Sequence, residues 1–406
     1  MDRIRIAAKE DGVQPSDRLY TPAFFIAFVY NFILGFLITN NALFPLYVDH
    51  AGGGPATLGM FMACVPIAGV IGRPWIGSLI DRFGVKPVLL LSCVCMEVSS
   101  LGFYMLLDCG LVPWVWMLRL VQGFGWGAHM SAFFTLAAQA APKGRRFEAI
   151  SMYALSGLAS NSVGPYTGEI VLSRFGFSGF FLMLIAVGAI ALLLVLSIRH
   201  PAQIPLTGDF DWRGMAQLLR SPGFWHAAVF ALALAVSYST MASFLAPLAK
   251  GRGISHFGLF FTFYSLSGVF IRIVGGKWGD RFGLRRVLLP AFMSYGTGLL
   301  ILHFSWTLRG IIAAGAFCGA GHGIAFPAIT SLGYALAPKS HRGRAVALVT
   351  GVMDAGNAIN SFLLGQAAAL WGFGIVFFLG AIGPWSAAIL IAMLIKNTPK
   401  TTVPLD

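Results

Sequence analysis

The chain has 406 residues, of which 57% are apolar and 11% charged, with a formal net charge of +13. An ordinary soluble domain carries about 25% charged residues. These proportions exclude a soluble globular enzyme and a disordered chain, and leave a protein that crosses a membrane many times. Most apolar runs hold no charge for about 18 residues or more, which is the signal of spanning helices; a β-barrel would alternate over about ten.

Residues 1–20 form a polar tail carrying Arg3, Arg5, Lys9 and Arg18, with no short apolar stretch and cleavage site of a signal peptide before the first long run. The runs and their Gly and Pro breakers then predict twelve helices, at 21–47, 57–80, 87–107, 112–138, 147–172, 176–198, 224–248, 257–279, 286–304, 309–336, 344–370 and 373–395. A polar segment, 199–223, separates a six-helix unit at 21–198 from another at 224–395, and residues 396–406 form a second tail. The five cysteines, Cys64, Cys93, Cys95, Cys109 and Cys318, are odd in number and have no metal-ligand spacing, so they imply neither a disulfide framework nor a zinc site. With both termini on one side, 20 of the 28 Lys and Arg fall on that side, four on the other and four within helices. The positive-inside rule makes the first side cytoplasmic. The basic loops are topology signals facing anionic lipid, not a nucleic-acid surface.

The chain is internally repeated. Residues 71–90 and 270–289, 199 apart, are identical at nine of twenty positions, among them Arg73/Arg272, Gly77/Gly276, Asp81/Asp280, Arg82/Arg281 and Gly84/Gly283. At an offset of 196, Gly123, Gly125, Gly127 and Asn161 pair with Gly319, Gly321, Gly323 and Asn357. Six helices are thus followed by six in the same orientation, a parallel repeat.

The stretch Gly77-Ser-Leu-Ile-Asp81-Arg82-Phe-Gly84-Val-Lys86 resembles the loop 2–3 signature of the major facilitator superfamily. Its second copy is Gly276-Lys-Trp-Gly-Asp280-Arg281-Phe-Gly283-Leu-Arg285. Arg119-Leu-Val-Gln122-Gly123 resembles that family's helix-4 Arg motif. The run Gly157…Gly164-Pro165-Tyr-Thr-Gly168 resembles the Gly-Pro motif of its proton-coupled antiporters, with one Gly at the end where the fullest version has two. The resemblance covers essentially the whole chain. It implies an all-α fold of twelve transmembrane helices in two six-helix bundles, working by alternating access.

Physical reasons stand beside each motif. Gly84 allows a tight turn, Gly77 a close helix approach, and Asp81 can accept from N–H groups at the start of a facing helix. The resemblance makes that helix the eleventh for the first copy and the fifth for the second. Pro165 removes a helical hydrogen bond, and Gly157, Gly164 and Gly168 permit packing against helix 8, a kink that the resemblance turns into a hinge. Charges inside spans are costly unless paired. Arg119 lies about 10 Å from the outer end of helix 4; the resemblance gives it proton coupling or anion binding, and the alternative is an arginine bonded to carbonyls. Glu97 on helix 3 is either a proton site or a packing carboxylate, and Glu169 is expected to be wetted. Arg73 and Asp354 lie about 12 Å and 15 Å from the cytoplasmic turns on helices that the family architecture places side by side. They are expected to pair while the outer side is open; the alternative is that Arg73 bonds carbonyls, to which its mate Arg272 lends weight, with Leu158 at the position matching Asp354. Tyr30, Asn31, Gln122, Trp126, His129, Asn161, Tyr238, His322 and Asn357 are the polar and aromatic candidates for a midplane cavity.

The expected activity is export of a small organic solute or drug-like compound in exchange for protons, sodium remaining an option, by a monomer in a bacterial inner membrane, without a cofactor. The alternatives are a proton-coupled importer or a lipid-linked substrate flippase on the same fold, and, from another class, a membrane enzyme or receptor. Against that last class, the chain has no nucleophile–base constellation, zinc motif or phosphate-binding loop. The orientation is checked by labelling intact cells: a cysteine placed at Ser255 reacts with an impermeant thiol reagent and one placed at Ser340 does not.

Overall fold

The computed structural model describes residues 20–140, 146–198, 220, 222–275, 278–335 and 342–396. Among them all regular structure is helical. Helix α1 (Pro22–Thr39) runs on through a 3-10 turn, Asn40–Leu43, into a short helix, Phe44–His50. Thr21 caps it, its hydroxyl accepting from Phe24 N at 3.2 Å, and Pro22 occupies a first turn that needs no N–H. Then come α2 (Pro55–Phe83), α3 (Val85–Met105) and α4 (Pro113–Ala140). A helix over Arg146–Ser197 is broken at Gly176 into α5 (146–175) and α6 (177–197). After residue 220 follow α7 (Pro222–Gly251), α8 (Leu259–Gly275, with a turn at Trp278–Phe282), α9 (Leu284–Phe304) and α10 (Leu308–Ala335). Arg342–Lys396 is broken at Gly372 into α11 (342–371) and α12 (373–396).

The two breaks are needed for the count of twelve. The apolar stretches Met152–Ser197 and Leu348–Met393 are 46 residues each, about 70 Å at 1.5 Å per residue. A hydrocarbon core is about 30 Å thick, so each stretch crosses twice. The chain reverses at one glycine: Gly168 of α5 lies against Asn40, Phe177 of α6 against Tyr47, and Leu196 O at the far end of α6 accepts from Lys86 Nζ at 2.7 Å. Gly176 and Gly372 combine φ of 65° and 79° with ψ of −169° and 169°, a region essentially restricted to glycine. They lie 196 positions apart. Gly84 and Gly283, at φ 84° and 83°, lie 199 apart. The repeat in the sequence is therefore also a repeat of backbone shape. The end of the molecule bearing Gly176 and Gly372 is termed the outer end.

Small residues bring the helices together in the same duplicated way. Gly123 on α4 sits on Val65 O of α2, and Gly319 on α10 sits on Tyr264 O of α8. Gly125 faces Cys95 of α3, and Gly321 faces Tyr295 of α9. Two glycines a half-turn apart thus let one helix lie close to two neighbours, which is how membrane helices gain packing without a hydrophobic driving force. At the outer end of the first six helices, Phe44, Phe61, Phe103 and Phe181 interlock, with ring centroids 5.0 Å apart for Phe44–Phe103 and 5.7 Å for Phe103–Phe181.

Gly77 departs from its expected use. A methyl group there meets no described atom within 4 Å, because no described helix approaches that face of α2. Gly319→Val is accordingly expected to destabilise the protein by about 1–3 kcal/mol, seen as a lower melting temperature in detergent. Gly77→Ala is expected to melt as the parent does.

Candidate functional site

Helices α2 and α11 cross along a seam that joins the first six helices to the second. At its outer end Gly59 and Gly365 meet backbone to backbone: a Cβ on Gly59 falls 2.7 Å from Gly365 Cα. Nearer the inner end, the Arg73 guanidinium forms a salt bridge with Asp354 and donates through Nη1 to Thr350 Oγ1 at 3.3 Å. The two side chains are 31% and 34% exposed. Matching depth on adjacent helices therefore does bring these opposite charges together. Arg272, the repeat mate of Arg73, donates through Nε to Gly323 O at 3.0 Å. It takes the carbonyl alternative because Leu158 stands where the repeat places a partner acid. The Arg73–Asp354 pair coexists here with closed outer contacts, so it does not require an arrangement open to the outside. A cavity of about 440 Å³ lies along the seam, lined by Met60, Ile67, Ile71, Ala355, Ile359 and Phe362. It is apolar, Ile71 and Ile359 being more than half exposed, and none of the expected midplane residues lines it.

Arg119 does not stand on a cavity. It is fully buried, with Nε donating to Phe61 O at 3.3 Å, Nη1 to Gln122 Oε1 at 2.5 Å and Nη2 to Met62 Sδ at 3.3 Å. The rings of Phe44 and Phe61 sandwich the guanidinium at 4.6 and 4.8 Å. The carbonyl-bonded alternative describes this geometry, and Gln122 is occupied in it.

Three further cavity candidates also lie inside the helix packing of the first six. Asn31 donates to Ser156 Oγ at 2.5 Å and Tyr153 O at 3.1 Å, and its Oδ1 lies 3.0 Å from His129 Nε2. The other ring nitrogen of His129 is 3.5 Å from Tyr30 Oη. All three are buried because α1, α4 and α5 close on one another there. The remaining candidates, Trp126, Asn161, Tyr238, His322 and Asn357, are half-buried. Tyr238, Tyr264 and Tyr295 surround the His322 ring at 6.0, 5.6 and 6.1 Å, and Phe326 stacks on it at 5.5 Å. His322 Nδ1 and Asn357 Oδ1 have no hydrogen-bond partner among the described residues. Asn161 Nδ2 donates to Ser265 Oγ at 3.0 Å, joining α5 to α8.

Glu97 lies between α3 and α6, beside Gly188, with Oε2 unpartnered among the described residues. That is the packing position of its two alternatives. In the first loop motif Asp81 and Arg82 are exposed, and Asp81 makes no hydrogen bond to a described residue. The side chains at the start of α11, Gly276, and the side chains of Asp280 and Arg285 lie outside the described residues, so neither capping contact is visible. Arg281 rests over the Phe282 ring at 5.2 Å. Gly164 and Gly168 pack against Thr39 at the end of α1 and Asn40 of the 3-10 turn, not against α8, and Gly157 faces Asn31 with its nearest atom 4.0 Å away. Pro165 lies buried between them. The contact of α5 with α8 is made by polar groups instead, through Thr262 Oγ1 to Ser162 O at 2.6 Å and through Glu169. Glu169 is buried, not wetted: it accepts from Phe257 N at 3.1 Å and Gly258 N at 2.7 Å. It is the functional candidate that the sequence reading passed over, and its signal was an acid at the place of the missing second glycine.

The family model described as Major Facilitator Superfamily matches residues 23–261 and 253–405. The chain is 21% identical to the staphylopine export protein of Staphylococcus aureus (strain Mu50), over 82% of this chain and 86% of that one. It is 25% identical to the multidrug resistance protein MdtG of Enterobacter lignolyticus, over 89% and 88%. It is 23% identical to the multi-drug resistance efflux pump PmrA of Streptococcus pneumoniae (strain R6), over 87% and 91%. The fold is similar to a crystal structure of the nucleoside transporter NupG, with a TM-score of 0.75 at 14% identity over 93% of this chain and all of that one. Arg119→Ala leaves the buried Gln122 Oε1 without its donor and takes a second donor from Phe61 O, and is expected to cost about 1–3 kcal/mol. Thermal unfolding in detergent reads this; a parental melting temperature would return Arg119 to a cavity role.

Proposed function

Because the chain belongs to the Major Facilitator Superfamily, and is thus a multi-pass membrane transporter of small molecules and not an enzyme, we propose that it exports an amphipathic or polar organic solute in exchange for protons. The observation that carries the direction is the likeness, along more than four fifths of the chain, to three proteins named for export or drug efflux. The Gly-Pro run on α5 supports the same reading, since it resembles the antiporter motif. The protein acts as a monomer of two six-helix bundles, 21–198 and 224–395, in a bacterial inner membrane with both termini in the cytoplasm.

Coupling is assigned to the seam between α2 and α11. Separation of the inner ends of these helices parts Arg73 from Asp354. An unpaired carboxylate at that depth is costly unless it meets water or takes a proton. Breaking the pair therefore links the opening of the inner side to proton uptake by Asp354. Substrate contacts are assigned to the half-buried groups around His322, together with Asn357 and Trp126.

The test uses inverted membrane vesicles, a substrate panel and an imposed pH gradient. Accumulation driven by an acidic lumen supports export by exchange; accumulation that needs an acidic outside medium supports import instead. In the same assay Arg73→Asp and Asp354→Arg are each expected to reduce proton-driven uptake at least tenfold, and the double exchange to recover part of it. A double variant no better than the worse single one removes the pair from the coupling mechanism.

A further inference from the structure

The outer ends of α5 and α8 are held together by one carboxylate. Glu169 directs both of its oxygens at the start of α8, Oε1 taking Phe257 N at 3.1 Å and Oε2 taking Gly258 N at 2.7 Å. N–H groups at the beginning of a helix have no partner within it, and the helix dipole favours a negative charge there. Glu169 is 9% exposed, so these bonds are made away from bulk water. Behind it the two backbones touch: a Cβ on Gly258 falls 2.6 Å from Tyr166 Cα. The segment that delivers the N–H groups is bent to do so. His256, immediately before them, holds φ at 61°, which is uncommon for a residue with a side chain, and its ring lies 6.1 Å from that of Tyr166. The His256 side chain is the titratable group beside the carboxylate. Farther in, the α5–α8 contact continues through Thr262 to Ser162 O and Asn161 to Ser265, both neutral. The charged contact is thus confined to the outermost turn.

We propose that Glu169 is a gating residue, a latch that closes the outer side by capping α8 and must release it before substrate can pass that side. It stands where the fullest antiporter Gly-Pro pattern has its second glycine, so a position used elsewhere for close packing carries a directed charge here. The latch is reversible because water replaces both N–H groups when the helices part. The proposal rests on alternating access and is independent of the direction and coupling ion of transport.

The experiment measures the gap between α5 and α8 in the full-length protein in lipid nanodiscs, with no substrate and no gradient. Native cysteines are replaced, spin labels are placed at Ser173 and Ser255, and the distance distribution is read by pulsed electron resonance. Glu169→Gln keeps one acceptor but turns an NH2 group toward the other N–H and removes the charge. It is expected to shift the ratio of closed to open populations by about tenfold toward open, as is Glu169→Ala. Arg174→Gln, an exposed change five residues along α5, is expected to leave the ratio unaltered. If Glu169→Ala does not yield folded protein, the near-isosteric Gln variant decides. A parental distribution in Glu169→Gln, or an equal shift in Arg174→Gln, overturns the proposal. Because neither readout involves transport, failure of the export reading would leave this result interpretable.

Discussion

Hydrocarbon supplies no partner to a charge, and the place where this protein meets that constraint most sharply is the crossing of α2 and α11. One cation and one anion, each untenable alone at that depth, are placed on different six-helix sets and satisfy one another across the seam. The Gly59–Gly365 contact fixes the outer end of the same crossing by bare steric fit. The two ends are chemically unlike. One is held by packing that any separation weakens smoothly, and the other by a charge pair whose separation demands a new partner. Along this seam the charge pair therefore stands at the inner end and bare steric contact at the outer one.

Four arginines show how differently the same constraint can be met. Arg73 has an acid. Arg272 has a carbonyl and no ionic partner among the described residues. Arg119 has a carbonyl, an amide oxygen, a thioether and two aromatic faces, so its charge is spread over dipoles and quadrupoles in a dry site. Arg252 reaches from the end of α7 to cap α9, donating to Leu302 O and His303 O at 2.7 Å each, with its guanidinium 4.7 Å from the Trp306 ring centre. Of these, Arg73 combines a counter-charge with partial exposure, and that combination suits a group whose partner must change.

The spans, the duplication and the loop motifs were legible because each rests on a one-dimensional signal: run length, spacing or local identity. The Arg73–Asp354 contact was legible too, since depth follows from counting residues at a fixed rise and the family resemblance set the two helices side by side. What counting cannot supply is the direction a side chain faces around its helix. Arg119 and His129 have the depth of cavity residues, yet both face inward toward neighbouring helices. The glycines of α5 were assigned to the wrong neighbour for the same reason, since Gly164 and Gly168 lie against the end of α1 and the 3-10 turn after it while Asn161, Ser162 and Glu169 face α8. Glu169 was misread because a polar residue near a helix end suggests water, and the helix start waiting for it lies 88 residues farther along the chain.

The glycine reversals at Gly176 and Gly372 have a consequence for handling the protein. All connections at that end are short: 51–54, 106–112, the two single glycines, 252–258 and 305–307. The outer face is therefore nearly bare of protruding chain. It offers little purchase to proteases and few raised epitopes to antibodies, and an affinity tag or fluorescent insertion has room there only within 106–112 or 252–258. The second of these carries the His256 bend and the α8 cap, so a foreign sequence belongs in the first.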